Sequence, residues 1–241
     1  MVDQPQQALL SVVLLNLVLV CLTIGAFWGG VMLARKLGRK IGYSLAPLGF
    51  SRPRGGFFAG AGAGFLTGLG ALLVSALVNP LSARVLDHLG YSTESRVQQP
   101  FMQGLMGWVQ ESPRVAIPAI VCVVVILGPA VEELVFRGAI FNGLYRLGSL
   151  ISIGIGGTGD TGRTAKRASF ALSALVSSAV FAVLHLEPVL LPALLILAVI
   201  LCALFARTGS LLPSFVAHAT FNSLAVLLII LGGLGVFEIP I

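Results

Sequence analysis

The chain has 241 residues, of which 57% are hydrophobic and only 10% are charged, and its mean hydropathy is +1.00. A soluble globular domain of this composition would aggregate, so that class is excluded. The net charge of +6 could indicate a nucleic-acid-binding protein, but the basic residues follow the predicted membrane topology instead. We predict an all-α, polytopic transmembrane helix bundle whose solvent is the lipid bilayer, with no nucleic-acid partner.

Six apolar stretches are long enough to cross a hydrocarbon core of about 30 Å as helices. They run near Ala8 to Ala34, Gly56 to Val78, Val115 to Arg137, Ser169 to Leu186, Val189 to Ala206, and Leu211 to Gly233. The third stretch can continue toward Arg146, and the two stretches beside Glu187 are short. We therefore predict about six membrane spans, with a range of one more or one fewer. The first stretch is too long for a secretory signal peptide, and no basic residue precedes it.

The basic residues alternate between the two sides of the predicted bundle. The first, third and fifth loops hold 12 of the 15 basic residues: Arg35, Lys36, Arg39, Lys40, Arg52, Arg54, Arg137, Arg146, Arg163, Lys166, Arg167 and Arg207. By the positive-inside rule these loops are cytoplasmic and both termini lie outside. We expect a multi-pass integral protein of a bacterial-type inner membrane or its equivalent.

We interpret residues 1–241 as one integral membrane domain, with a motif-bearing core at about 115–226. Residues 79–114 are predicted to be an outer loop with a short surface helix, and residues 148–168 a flexible cytoplasmic loop. Gly157, Gly162, Arg163 and Thr164 imitate a phosphate-binding loop, but no strand precedes them, so we favour a linker. The three cysteines lie in apolar stretches, which indicates neither a disulfide framework nor a thiolate metal site.

Glycines recur every fourth residue in the second apolar stretch, at Gly56, Gly60, Gly64 and Gly68. This spacing lines one helix face with small residues and lets another backbone approach closely. The stripe predicts packing within the chain, and the alternative is a homodimer or a larger membrane complex through the same face.

Two adjacent carboxylates, Glu132 and Glu133, interrupt the third apolar stretch. A charged carboxylate in mid-membrane costs about 2.5 to 3.5 kcal/mol, so both need a compensating role. Arg137 lies four residues after Glu133 and is predicted to form an ion pair with it. Glu132 points about 100° away around the helix and has no local partner. The alternative is a capping or packing role at the kink that Pro129 predicts.

Two histidines fall inside other predicted helices. His185 follows Phe181 by four residues, and His218 precedes Asn222 by four residues, so each pair shares a helix face. Counted from basic residues of the cytoplasmic loops, Glu132 and these polar residues lie at similar depths, roughly 17 to 27 Å. Each histidine alone could be an ordinary interhelical hydrogen-bonding residue, and the third, His88, is interpreted as a solvated bystander.

These residues resemble the three motifs of the CPBP family, the CAAX proteases and bacteriocin-processing enzymes. The motifs are Glu132-Glu133-x-x-x-Arg137, Phe181-x-x-x-His185 and His218-x-x-x-Asn222, and Arg207-Thr208-Gly209-Ser210-Leu211 is similar to the family's approach to its last motif. The resemblance covers about Val115 to Val226.

The resemblance implies a metal-free, cofactor-free intramembrane glutamate endopeptidase that acts on a membrane-associated protein or peptide. Glu132, aided by His185, would activate a water molecule, and His218 and Asn222 would form the oxyanion hole. Glu133, Arg137 and Phe181 would support the site.

Three other functions stay open at this point. Two histidines and a glutamate could bind zinc, although no H-E-x-x-H is present. The same fold could serve as a non-proteolytic scaffold, an immunity factor or a subunit of a membrane complex. A transporter also carries ionisable residues inside its helices, but no inverted repeat is visible.

Overall fold

All six apolar stretches form helices in the computed structural model, which describes residues 5–95, 98–156 and 159–236. The helices are α1 (Pro5–Lys36), α2 (Phe57–His88), α3 (Gln98–Glu111), α4 (a continuous helix over 113–156), α5 (Asp160–Leu184), α6 (Leu191–Thr208) and α7 (Leu211–Gly233), with a short 3₁₀ turn at Ala46–Leu48. Those ranges contain no strand. All of these helices except α3 are long and apolar enough to span a membrane. The predicted all-α membrane bundle is confirmed.

Several helices extend beyond the predicted apolar stretches. Helix α2 continues through Pro80 to His88, so ten residues assigned to the outer loop belong to this helix. Helix α3 occupies 98–111 and is packed rather than superficial, because Leu105 and Val109 are fully buried. The predicted flexible cytoplasmic loop is also largely helical, at residues 148–156 and 160–168. The sequence that imitates a phosphate-binding loop lies partly at residues 157–158, outside the described part. Hydropathy marks only the lipid-crossing part of a helix, which explains why these ends were missed.

Helix α4 contains two π-helical segments. It is α-helical at Pro113–Ile120, Gly128–Glu132 and Asn142–Gly156, and π-helical at Val121–Leu127 and Glu133–Phe141. Pro129 has no N–H and its ring crowds the preceding turn, which disturbs the regular ladder beside it. Wider π turns absorb such disturbances and are frequent at functional sites.

The glycine stripe of α2 packs against α7 of the same chain. A Cβ atom at Gly68 would lie 2.6 Å from the carbonyl oxygen of Ala217, and one at Gly64 would collide with the carbonyl oxygen of Pro213. Gly60 is also buried, against Pro53, whereas Gly56 faces open space. The packing within the chain that the stripe predicts is present, and a homodimer or larger complex stays a prediction.

Helix α7 lies at the centre of the bundle. It contacts α2, α3, α4 and α6, while α5 packs against α4 and α6. Helices α4, α5 and α7 carry the three motifs, so this arrangement brings their polar residues toward one interior region.

Candidate active site

Glu133 and Arg137 form a buried ion pair on the second π segment of α4. Both residues are 0% exposed, and Glu133 Oε1 lies 2.9 Å from an Arg137 terminal nitrogen, so the predicted pair is present. Another Arg137 nitrogen donates a long hydrogen bond of 3.4 Å to the Ala198 carbonyl on α6. The guanidinium also lies over the Phe181 ring on α5, 4.7 Å from its centroid. One arginine therefore ties α4 to α5 and α6.

His218 lies between the two glutamates. Its Nδ1 is 3.0 Å from Glu133 Oε1, and its Nε2 is 3.7 Å from Glu132 Oε2. A carboxylate only accepts hydrogen bonds, so Nδ1 carries the proton that it donates to Glu133. This bond fixes the ring and directs Nε2 toward Glu132. The edge of the His218 ring also packs on Phe181, with centroids 5.6 Å apart.

Glu132 is the more accessible carboxylate. Its side chain is 30% exposed, compared with 1% for Glu133. Within the described residues its Oε2 is buried and makes no hydrogen bond to the protein, and the gap of 3.7 Å to His218 exceeds hydrogen-bonding distance. Glu132 thus retains an acceptor without a protein partner, on a side chain that is partly exposed.

His185 directly follows α5 as its C-cap residue, where the chain turns. Its Nδ1 lies 2.8 Å from the Phe181 carbonyl oxygen, which can only accept, so Nδ1–H is the donor and the neutral ring leaves Nε2 as an acceptor. The next residue, Leu186, has a φ of +56°, a left-handed conformation that costs a leucine about 1 to 2 kcal/mol. This backbone conformation ends α5 and holds His185 at the edge of the interior.

Asn222 binds a carbonyl oxygen that the irregular part of α4 leaves free. The Gly128 N–H bonds Val123, five residues back, and Pro129 has no N–H to offer Val124. Asn222 Nδ2 donates to that Val124 carbonyl at 3.1 Å. The amide has a second hydrogen, which this bond does not use.

Residues of the second and third motifs line the same cavity, which has a volume of about 300 Å³. His185, His218 and Asn222 line it, together with Ser75, Asn79 and Gln98, which sequence reasoning did not select. The structure therefore brings His218 against Glu132 and Glu133 on one side and into the cavity on the other.

Asn79 is the most informative of the missed residues. Its Nδ2 donates to Ser75 Oγ at 2.8 Å, and its Oδ1 is buried without a hydrogen bond in the described part of the chain. The spacing of four residues between Ser75 and Asn79 was a usable signal, but the predicted span ended at Val78 and placed Asn79 in a loop. Gln98 lies near the start of α3 and had no comparable signal.

The described residues lack one expected contact, and they also lack the convergence of side chains that the zinc alternative would need. No hydrogen bond or ion pair joins Glu132 to His185, because the imidazole nearest to Glu132 belongs to His218. Nor do three or more histidine, cysteine, aspartate or glutamate side chains in the described part converge as a metal site would require. His88 is exposed at the end of α2.

A family model described as Rce1-like, Type II CAAX prenyl endopeptidase Rce1-like, matches residues 114–224. All of the motif residues lie within this range, so the resemblance to the CPBP family is confirmed over nearly half of the chain. The match indicates a membrane protein of the CAAX-protease type. No curated protein and no solved structure matches the chain.

Proposed function

Starting from this Rce1-like core, we propose that the protein is an intramembrane endopeptidase that hydrolyses a peptide bond of a membrane-associated protein or peptide. The observation that carries the proposal is His218, which lines a cavity, is held by the buried carboxylate of Glu133 and lies 3.7 Å from the more accessible carboxylate of Glu132. Structural ion pairs need no such free acceptor. In this site Glu133 is paired with Arg137, whereas Glu132 has an acceptor oxygen without a protein partner.

Glu132 serves as the general base in this mechanism. It takes a proton from a water molecule whose oxygen attacks the scissile carbonyl carbon, and the proton then passes to the nitrogen of the leaving amine as the C–N bond breaks. His185 offers a second acceptor, Nε2, on the cavity wall, where it orients the same water. The mechanism needs no direct bond between Glu132 and His185, since it places the water molecule between them.

His218 and Asn222 stabilise the oxyanion. His218 and Asn222 both line the cavity, from positions one helical turn apart on α7, so each can offer a donor to an oxyanion there. When His218 also carries a proton on Nε2, its charge and that of Arg137 balance the two glutamates. A single oxyanion donor of this kind contributes about 2.7 to 4 kcal/mol to transition-state stabilisation.

Glu133, Arg137 and Phe181 act as positioning residues. Glu133 orients His218 through Nδ1, Arg137 neutralises Glu133, and Phe181 packs against both the arginine and the histidine. The mechanism requires no metal and no cofactor. We also propose that the basic loops face the cytoplasm, with both termini on the other side.

Comparative proteomics of cells that express the wild-type chain or Glu132→Gln tests this function. The matched control is Glu94→Gln, since Glu94 is an exposed carboxylate outside the site. We expect new peptide termini in membrane-associated proteins with the wild type and with the control, and their loss with Glu132→Gln at equal protein levels. Full biological function in Glu132→Gln would instead support the scaffold, immunity-factor or complex-subunit role.

A further inference from the structure

A second polar cavity lies at the end of the bundle away from His185. It has a volume of about 620 Å³ and is bounded by α4, α5, α6 and the segment that precedes α2. None of its lining residues lines the cavity of His185, His218 and Asn222. It is therefore a separate site, and we call it the basic cavity.

Three cations, Arg54, Arg146 and Lys166, line the basic cavity. Arg54 is anchored by hydrogen bonds to the Arg207 and Thr208 carbonyl oxygens, and Arg146 Nε donates to Asn142 Oδ1 at 3.1 Å. No aspartate or glutamate is among the lining residues, and in the described part of the chain none of the three cations forms an ion pair. The three cations are exposed, and no carboxylate that lines the cavity neutralises them.

The inner wall of the basic cavity combines an available hydroxyl with aromatic surface. Ser149 Oγ is buried and makes no hydrogen bond within the described residues. Beside it, the Phe141 and Tyr145 rings stack with centroids 5.7 Å apart, and Phe205 packs edge-on against Phe141. A buried hydroxyl without a partner is costly, so this wall is suited to a ligand that brings acceptor oxygens.

We propose that the basic cavity binds a phosphate group, and that the phosphate belongs to the headgroup of an anionic phospholipid. Arginine and lysine supply the charge-assisted donors that phosphate oxygens prefer, and Ser149 supplies a neutral donor. Leu150, which also lines the cavity and is 68% exposed, extends its rim onto the apolar outer surface of α4. An acyl chain can pack along that apolar surface, whereas a soluble phosphate compound has no apolar part to contact it. Basic cavities between transmembrane helices are typical headgroup sites.

Native mass spectrometry of the full chain in detergent tests the site. The probes are phosphatidylglycerol and phosphatidylcholine with identical acyl chains, and inorganic phosphate is added as a competitor in a third arm. The test variant is Arg146→Gln/Lys166→Gln. The control is Arg167→Gln, which removes an exposed cation next to Lys166 that does not line the cavity.

We expect the unaltered chain to bind phosphatidylglycerol more tightly than phosphatidylcholine. The double variant should lose about thirty-fold in phosphatidylglycerol affinity, about fivefold for each cation that contacts the headgroup, and the control should lose less than about fivefold because its cation does not line the cavity. Displacement of the lipid by inorganic phosphate would support a site that reads the phosphate group alone. Lipid selectivity without such displacement would support the headgroup as the source.

Two results would overturn the proposal. One is equal affinity of the unaltered chain for the two lipids, a comparison that needs no variant. The other is unchanged phosphatidylglycerol selectivity in a double variant that unfolds at the same denaturant concentration as the wild type. Neither readout uses peptidase activity, so the result is independent of the proposed function.

Discussion

Replacing Arg137 with methionine should destabilise the protein by about 3 to 5 kcal/mol, because it leaves the buried Glu133 carboxylate without its main partner. Two unit charges 2.9 Å apart attract each other by about 6 kcal/mol at an effective dielectric constant of about 20. Part of this energy is retained in the variant, since His218 Nδ1 stays 3.0 Å from Glu133. The lost contact with the Phe181 ring adds to the destabilisation.

The measurement is equilibrium unfolding in mixed micelles with increasing sodium dodecyl sulfate, followed by fluorescence of the buried Trp108. The double variant Glu133→Gln/Arg137→Met should be more stable than Arg137→Met alone, because it removes the stranded charge. Arg84→Met, at an exposed position on α2, is the control and should change stability by less than about 0.5 kcal/mol. The reasoning is refuted if Arg137→Met matches the control, or if the two substitutions at the pair are additive.

Three further predictions use the same structure. Gly68→Ala should destabilise the protein by about 1 to 3 kcal/mol, since its Cβ would lie 2.6 Å from the α7 backbone. In the same unfolding assay Gly70→Ala should stabilise the protein by about 0.5 to 1 kcal/mol, because its Cβ meets nothing within 4 Å. Asn222→Ala should lower kcat/KM about 10²- to 10³-fold, because it removes an oxyanion donor. It should also cost about 1 to 3 kcal/mol of stability, because the Val124 carbonyl loses its donor. An unchanged kcat/KM would contradict the place of Asn222 in the oxyanion hole. The unbonded Oδ1 of Asn79 is placed to accept a hydrogen bond from a substrate N–H, so Asn79→Ala should raise KM about tenfold with kcat unchanged. A fall in kcat alone would contradict this substrate-binding role.

Composition and apolar length were sufficient to predict the membrane bundle and the number of spans. The pairing of Glu133 with Arg137 followed from their spacing of four residues, which survives the π-helical geometry of that segment. The helix ends were less predictable. The first part of α5 packs against the end of α4, as the contact of Gly148 with Ser169 illustrates, and a hydropathy pattern does not contain that information.

The site shows the same limit. The sequence separated Glu132 from Glu133 by their angle around α4, and the family resemblance assigned His185 as the residue that helps Glu132 to activate water. Which histidine faces which carboxylate depends on the rotation of α7 against α4, and this rotation is set by close contact of α7 with the glycines of α2. His218 therefore bridges the two glutamates, an arrangement that spacing within single helices could not predict.

Hydrolysis in heavy-oxygen water by the purified protein in lipid vesicles tests the central claim most directly. The substrate is a peptide that spans a cleavage site found by the proteomic comparison, and mass spectrometry reads the new carboxyl terminus. We predict one heavy oxygen atom at that terminus with the wild type, and no product with Glu132→Gln although this variant still folds and inserts. Cleavage by Glu132→Gln at the wild-type rate would contradict the role of Glu132 as the base that activates the water.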